Sequence, residues 1–285
     1  MKVLIAGSSS FVGKNLRRYF SRESLDAHYL SRAECDLSDP IALSRICEDL
    51  KPDLLIHCAV SLSDTQNNLS MYLALERCSA YVGKIIMIGS GSEYGSHRYA
   101  PAMHETYFDI KQPPLNNDPY HLSKHLIARL HKSSPATNIY NFRVFGLYGP
   151  YEDYTRRLIS SNIYSYLNQG RMHVGANHAF DYLYVDDLIN AILVFARSST
   201  KPAFHVYNVC SGHADRFLDI LSEVIHALGG DPTKIEIDAC APCNIVYSGD
   251  NLLFQNEFDY SIHQTSYAQA TPRLVDWLQS EVIHC

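Results

Sequence analysis

The first 150 residues alternate short apolar runs with longer amphipathic stretches, and that rhythm leaves few folds open. Residues 3–6, 27–30, 54–58, 84–88 and 138–144 are short and mostly apolar, as strands buried on both faces of a sheet are. Between them lie segments with helical spacing. Residues 13–22 follow Val12 and place Leu16 and Phe20 on the same face; 41–50 end at Lys51-Pro52; 71–82 and 118–131 complete the set. Strand, helix and strand at this interval predict right-handed crossovers onto a parallel sheet, hence an α/β class with a doubly wound sheet. After Gly149-Pro150 the pattern changes. Helices are expected over 151–169, 188–196, 217–228 and 272–279, and strands over 180–187 and 205–209. We therefore divide the chain into a domain over 1–150 and a smaller lobe over 151–285, with segments around 180–228 returning to the first domain.

Composition narrows the classes. The chain has 285 residues, 46% hydrophobic and 19% charged, enough to bury a full core and unlike a disordered or disulfide-stapled chain. A net charge of −6 argues against nucleic acid as partner. No apolar run approaches the roughly 20 residues that span a bilayer, and the N-terminal apolar run is too short for a secretory leader. Eight scattered cysteines fit reduced thiols, so a cytoplasmic location is expected. Cys240-Ala-Pro-Cys243 lacks a second pair, and no metal site is expected.

Four landmarks carry chemistry. The first strand runs into Gly7-Ser8-Ser9-Ser10-Phe11-Val12-Gly13 and then a helix. A turn of this kind aims backbone N–H groups and the positive helix end at one point, which suits a pyrophosphate. Gly7 permits the turn, Gly13 allows close helix–strand packing, and Ser10 stands where a glycine is usual. The second strand ends in Ser31-Arg32 with no carboxylate at its end, and a hydroxyl beside a guanidinium suits a 2′-phosphate. NADP(H) is therefore favoured, with NAD possible. Asp118-Pro119-Tyr120-His121-Leu122-Ser123-Lys124 places Tyr120 and Lys124 one turn apart on a helix opened by Asp118 and Pro119. An ammonium beside a phenol favours the phenolate, so Tyr120 can exchange a proton near neutral pH. A second Tyr-x-x-x-Lys pair, Tyr107 with Lys111, runs into Gln112-Pro113-Pro114, which breaks helices. Finally, Ser90 ends the fourth strand within a Gly/Ser turn, at the sheet edge where α/β proteins bind ligands. Asp186-Asp187 reads as a helix cap.

Together with Arg143-Val144-Phe145-Gly146-Leu147-Tyr148-Gly149-Pro150 and Asp181-Tyr182-Leu183-Tyr184-Val185-Asp186-Asp187, these landmarks closely resemble the extended short-chain dehydrogenase/reductases over roughly residues 1–230. That family contains nucleotide-sugar epimerases, dehydratases and reductases. The resemblance implies a Rossmann-type sheet with a smaller C-terminal substrate-binding lobe. It implies Ser90, Tyr120 and Lys124 as the catalytic triad. Gly7, Ser10, Phe11, Val12 and Gly13 match the cofactor turn, Asp36 and Leu37 the adenine-contacting pair, and Cys58, Ala59 and Val60 the strand end beside the cofactor ribose. It further implies a homodimer through the helix carrying Tyr120 and the helix before Lys84.

Departures from the family narrow the chemistry. The Asp-Glu pair of the 4,6-dehydratases is replaced by Gly91-Ser92, and the cysteine of the fucose-synthase branch by Ser92. The usual asparagine near Arg143 is Gly146, and a substrate-phosphate arginine is Phe180. Ser90 and Ser92, with Arg156 and Arg157 for phosphate, are the expected substrate contacts. The expected activity is NADPH-dependent reduction of a 4-keto nucleotide sugar of the 6-deoxy class, in bacterial surface polysaccharide synthesis. The alternatives are a 4-epimerase that retains its NAD(P) and a non-catalytic NADP-binding sensor.

Overall fold

The computed structural model describes residues 1–108, 118–238 and 245–283. Lys111, Cys240, Cys243 and Cys285 lie outside the described residues. The first half follows the predicted rhythm: β1 (Val3–Ala6), α1 (Phe11–Arg22), β2 (His28–Leu30), α2 (Pro40–Leu50), β3 (Leu54–His57), α3 (Thr65–Cys78), β4 (Lys84–Ser90), α4 (Pro119–Ser133) and β5 (Ile139–Val144). There follow β6 (Gly146–Tyr148), α5 (Leu158–Gln169), β7 (Met172–Val174), β8 (Ala179–Phe180), β9 (Tyr182–Tyr184), α6 (Val185–Arg197), β10 (Val206–Asn208), β11 (Asp215–Arg216) and α7 (Phe217–Ala227). The chain closes with β12 (Ile235–Ile237), β13 (Val246–Tyr247), α8 (Leu252–Phe258) and α9 (Tyr267–Leu278).

Six strands form a parallel sheet in the order β10-β5-β4-β3-β1-β2. Alternate residues of β1 face opposite layers. Val3 and Ile5 join the core shared with α1 and α6, whereas Leu4 and Ala6 join the core under α2 and α3. The expected α/β class and doubly wound sheet are observed. α6 and β10 return to this sheet from the second half, while α5, α7 and α9 pack together beside two small sheets, β12-β7 and β11-β8-β13. β6 and β9 pair in parallel between the two halves.

Three boundaries differ from expectation for physical reasons. α3 starts at Thr65, because Asp64 accepts the Asn67 N–H at 2.9 Å and caps a polar first turn. Residues 151–157 are turns, with Tyr151 at φ +70° and Asp153 accepting the Thr155 N–H. The expected long strand over 180–187 is two short strands, after which α6 begins at Val185 with Tyr184 in the cap position and no side-chain cap. Asp186 and Asp187 therefore do not cap α6; they lie in its first turn, where the helix dipole favours negative charge. The buried Asp186 carboxylate instead receives Arg18, Arg22 and Arg273, tying α1 and α9 to α6. Asp187 accepts both the N–H and the hydroxyl of Thr265.

Candidate active site

The cradle after β1 is built from backbone. Gly7 has φ +86°, and a Cβ there would lie 2.6 Å from the Ala59 nitrogen. A Cβ on Gly13 would collide with the Gly7 carbonyl, so α1 sits close against the strand end. Ser10 caps α1, its Oγ accepting the Gly13 N–H at 3.1 Å. The amides of Phe11 and Val12 then have no acceptor within the helix and point past the sheet edge. Val12 and Cys58 turn their side chains into the core, and Val60 is exposed. Leu37 is also buried, packed with Leu30, Leu43 and Cys47, so only its backbone is free to meet a ligand. Asp36 accepts both the N–H and the hydroxyl of Ser38, which holds its carboxyl below the usual range. Next to the cradle, a small pocket is lined by His57, Ala59, Val60, Asn68, Ile88 and Lys124, among others. Burial, then the Lys124 charge, pushes the His57 ring down to about 3, and its Nε2 has no protein partner. The glycine cradle and this orphaned nitrogen fit a bound dinucleotide.

The end of β2 corrects one expectation. A carboxylate does sit there: Glu34 turns back and accepts the Ser31 N–H at 2.5 Å together with the Ser31 hydroxyl. Those two bonds hold Glu34 below the usual carboxylate range. Arg32 remains exposed, and Arg17 lies over the Tyr29 ring at 4.1 Å.

The reactive side is assembled from β4, α4 and the second half of the chain. Asp118 caps α4 by accepting the His121 N–H, and Pro119 occupies the first turn. The Lys124 Nζ donates to the Ile88 carbonyl at 2.7 Å and lies 5.8 Å from the Tyr120 ring centre. α3 fixes this helix in place: Asn68 donates to Ser123 Oγ at 2.9 Å and to the Ser61 carbonyl at 2.8 Å, and Thr65 donates to the Pro119 carbonyl. Ser90 ends β4 and caps a short turn, its Oγ accepting the N–H and the hydroxyl of Ser92 at 3.1 and 2.9 Å.

Several residues that the motifs did not single out build the rest. Glu93 is buried and accepts the Ser90 N–H at 3.0 Å, two bonds from Asn141, and Arg143 Nε at 2.5 Å. The Ser-x-x-Glu spacing of a capping box was the available signal. Arg143 also donates to the Tyr94 hydroxyl, whose acidity burial weakens, pushing it up to about 12. Tyr247 on β13 is buried, and its hydroxyl reaches Ser90 and fills the space a methyl on Gly91 would need. Its ring lies 4.2 Å from that of Tyr99 and 4.9 Å from that of Phe145. Asp181 holds this segment: its N–H donates to the Tyr247 carbonyl, and its carboxylate takes Ser211, Gly212 and Gly249. Tyr120 is an electrostatic neighbour of both Tyr99 and Tyr247. The structure thus places Ser90 at the carboxyl end of β4, with Tyr120 and Lys124 on α4 beside it.

It does not bring Arg156 and Arg157 there. Both are exposed at the start of α5, and Arg157 neighbours Glu152 and Tyr182. Phe180 and Phe217, which are in ring contact, stand between Tyr182 and Tyr247. Gly146 has no room for the family's side chain, since a Cβ would lie 2.5 Å from the Asp181 carbonyl oxygen.

A family model, the NAD dependent epimerase/dehydratase family, matches residues 3–210. The chain belongs to this family. Protein CapI of Staphylococcus aureus is 20% identical to it over 97% of this chain and 98% of its own. A GDP-L-fucose synthetase from Naegleria fowleri bound to NADP has a TM-score of 0.79 at 17% identity, covering 98% of this chain and 94% of that one. A UDP-glucose 4-epimerase from Thermotoga maritima with UDP-glucose also has a TM-score of 0.79, at 18% identity over 98% and 99% of the two chains. Among the described residues of this family member, no helix is long and apolar enough to cross a membrane, and no cluster of ligating side chains could hold a metal ion.

Proposed function

We propose that the chain is an NADPH-dependent reductase of the 4-keto group of a nucleotide-linked, 6-deoxy sugar, acting in bacterial surface polysaccharide synthesis. The observation that carries the reading is the convergence of Ser90 and Tyr120 on one aromatic pocket, with the Lys124 ammonium behind the phenol. Gly7, Phe11, Val12 and Gly13 would hold the dinucleotide pyrophosphate, and Lys124 and Ala59 would face its ribose. Bound there, the dinucleotide supplies hydride. Tyr120 gives its proton to the sugar oxygen. Ser90 offers that oxygen a hydrogen bond: the N–H and hydroxyl of Ser92 occupy its lone pairs, which leaves its own proton for the sugar oxygen in place of the Tyr247 hydroxyl. Ser92 on this reading orients Ser90. Arg32 and Arg17 favour the 2′-phosphate and Glu34 opposes it, so the NADP preference rests on the two guanidiniums.

Similarity to a UDP-glucose 4-epimerase with UDP-glucose and to a GDP-L-fucose synthetase supports the substrate class. Five buried free cysteines (Cys35, Cys47, Cys58, Cys78 and Cys210) support a reducing cytoplasm. Leu73 on α3 and Leu130 on α4 are exposed apolar side chains on the helices that would pair in a homodimer. The test is incubation of NADPH with a 4-keto-6-deoxy nucleotide sugar, followed at the nicotinamide absorbance. Stoichiometric NADPH loss supports the reductase. Sugar interconversion without net loss, with cofactor retained through purification, supports the epimerase. NADP binding with no turnover of any nucleotide sugar supports the sensor.

A further inference from the structure

Ser90 can act on a substrate oxygen only if its hydroxyl is held in one place, and the group that holds it is an acid three residues on. Glu93 is buried. Its Oε1 accepts the Ser90 N–H at 3.0 Å and Asn141 Nδ2 at 3.1 Å; its Oε2 accepts the same nitrogen at 3.0 Å and Arg143 Nε at 2.5 Å. Arg143 is anchored in turn on the Tyr94 hydroxyl and the Glu105 carbonyl, each at 3.1 Å. The Glu93 backbone is used as well. His125, next to Lys124 on α4, has its Nδ1 2.9 Å from the Glu93 carbonyl, and a carbonyl only accepts, so Nδ1 is the donor. The residue before Ser90 leaves room for this: a Cβ on Gly89 would collide with Asn141 Oδ1 and lie 2.5 Å from Glu93 Oε1. One residue therefore grips the turn carrying Ser90 through its side chain, and the helix carrying Tyr120 and Lys124 through its carbonyl.

A buried ion pair gives little net stability over apolar side chains of the same volume, so stability alone does not account for an acid here. A charge-assisted hydrogen bond is shorter and stronger than a neutral one, and it holds its donor more tightly. We propose that Glu93, clamped by Asn141 and Arg143, is a positioning residue that sets Ser90 against the α4 pair Tyr120 and Lys124. This rests on the reading of Ser90 and Tyr120 as partners in the proposed reduction. With its N–H tethered, Ser90 keeps the extended backbone found at the end of β4 (φ −152°, ψ 145°), and the backbone decides which way Oγ can point. The His125 bond fixes α4 relative to the same turn. Glu93 touches neither substrate nor cofactor on this reading; it acts through Ser90.

The test uses the full chain and two double variants. Glu93→Gln/Arg143→Met and Glu93→Leu/Arg143→Met both remove the buried charges, but only the first keeps an acceptor for the Ser90 N–H. The leucine variant loses kcat for NADPH-dependent reduction at least tenfold with KM within twofold, and the glutamine variant recovers at least fivefold of that loss. In a Ser90→Ala background the same exchange of glutamine for leucine costs less than twofold, because the group being positioned is gone. Equal kcat in the two double variants, or a cost that Ser90→Ala leaves undiminished, overturns the proposal. A readout without substrate separates this from failure of the proposed activity. In ¹⁵N-labelled protein the Ser90 amide exchanges with solvent at least tenfold faster in the leucine variant than in the parent. Parental exchange there overturns the clamp whatever the activity; faster exchange in a chain that reduces no 4-keto nucleotide sugar upholds the clamp and overturns the reductase reading alone.

Discussion

The two sides of the cleft are made differently. The side proposed for the cofactor is backbone: a positive-φ glycine, a second glycine where helix meets strand, and helix amides without acceptors. The reactive side is side chains gathered from β4, α4, β5 and β13, held by buried ions and tilted, closely packed rings. A backbone cradle depends on a few adjacent residues and tolerates change around it. A side-chain pocket depends on partners 50 or more residues apart: Glu93 with Arg143 is separated by 50 positions. Chemistry can thus diverge on one side while the other stays fixed.

The largest stability effect on this comparison belongs to the buried pair. Arg143→Met leaves Glu93 buried without its cation and should cost about 3–5 kcal/mol, read as a fall in urea midpoint. A loss under 1 kcal/mol would mean that the reactive side is not held by this pair. The next effect is electrostatic. Glu152 is buried, and desolvation, opposed by Ser160 and the neighbouring Arg157, pushes its carboxyl up to about 8. A group whose folded pKa is raised above its unfolded value of about 4.5 contributes stability that is whole below that value and is lost as pH rises toward 8. Thermal melts of the parent should therefore fall between pH 5 and 8 by the equivalent of roughly 3.5 kcal/mol, and Glu152→Gln should flatten that slope. The smallest effect tests the cofactor side. Glu34→Gln removes the charge opposing a 2′-phosphate and should raise kcat/KM for NADPH about fivefold, with NADH unchanged, while Arg32→Ala should do the reverse. If both variants leave the NADPH/NADH ratio alone, the preference is set elsewhere.

Legibility in the sequence divides along the same line. The glycine turn, the six-stranded sheet and the capped α4 carrying Tyr120 and Lys124 are local patterns, and each was readable. The start of α3 escaped because its first turn, Thr65 to Asn68, has no apolar period, although Asp64 marked it. Glu34 escaped because it follows the strand and folds back by three residues. Tyr99 and Tyr247 carry no periodic signal at all; only tertiary folding brings the β13 tyrosine onto Ser90 and the loop tyrosine onto its ring. The same holds for Asp186 and Asp187, whose partners come from α1, α9 and the segment before α9.

The central claim is that Ser90 and Tyr120 act on the same substrate oxygen. A double-mutant cycle on kcat/KM with Ser90→Ala and Tyr120→Phe tests it most directly. Tyr120→Phe alone should lose about 10³-fold or more, and adding Ser90→Ala should lose less than a further threefold, because groups that act as a unit are not additive. Losses that multiply independently, or a Tyr120→Phe enzyme near parental activity, would contradict the account.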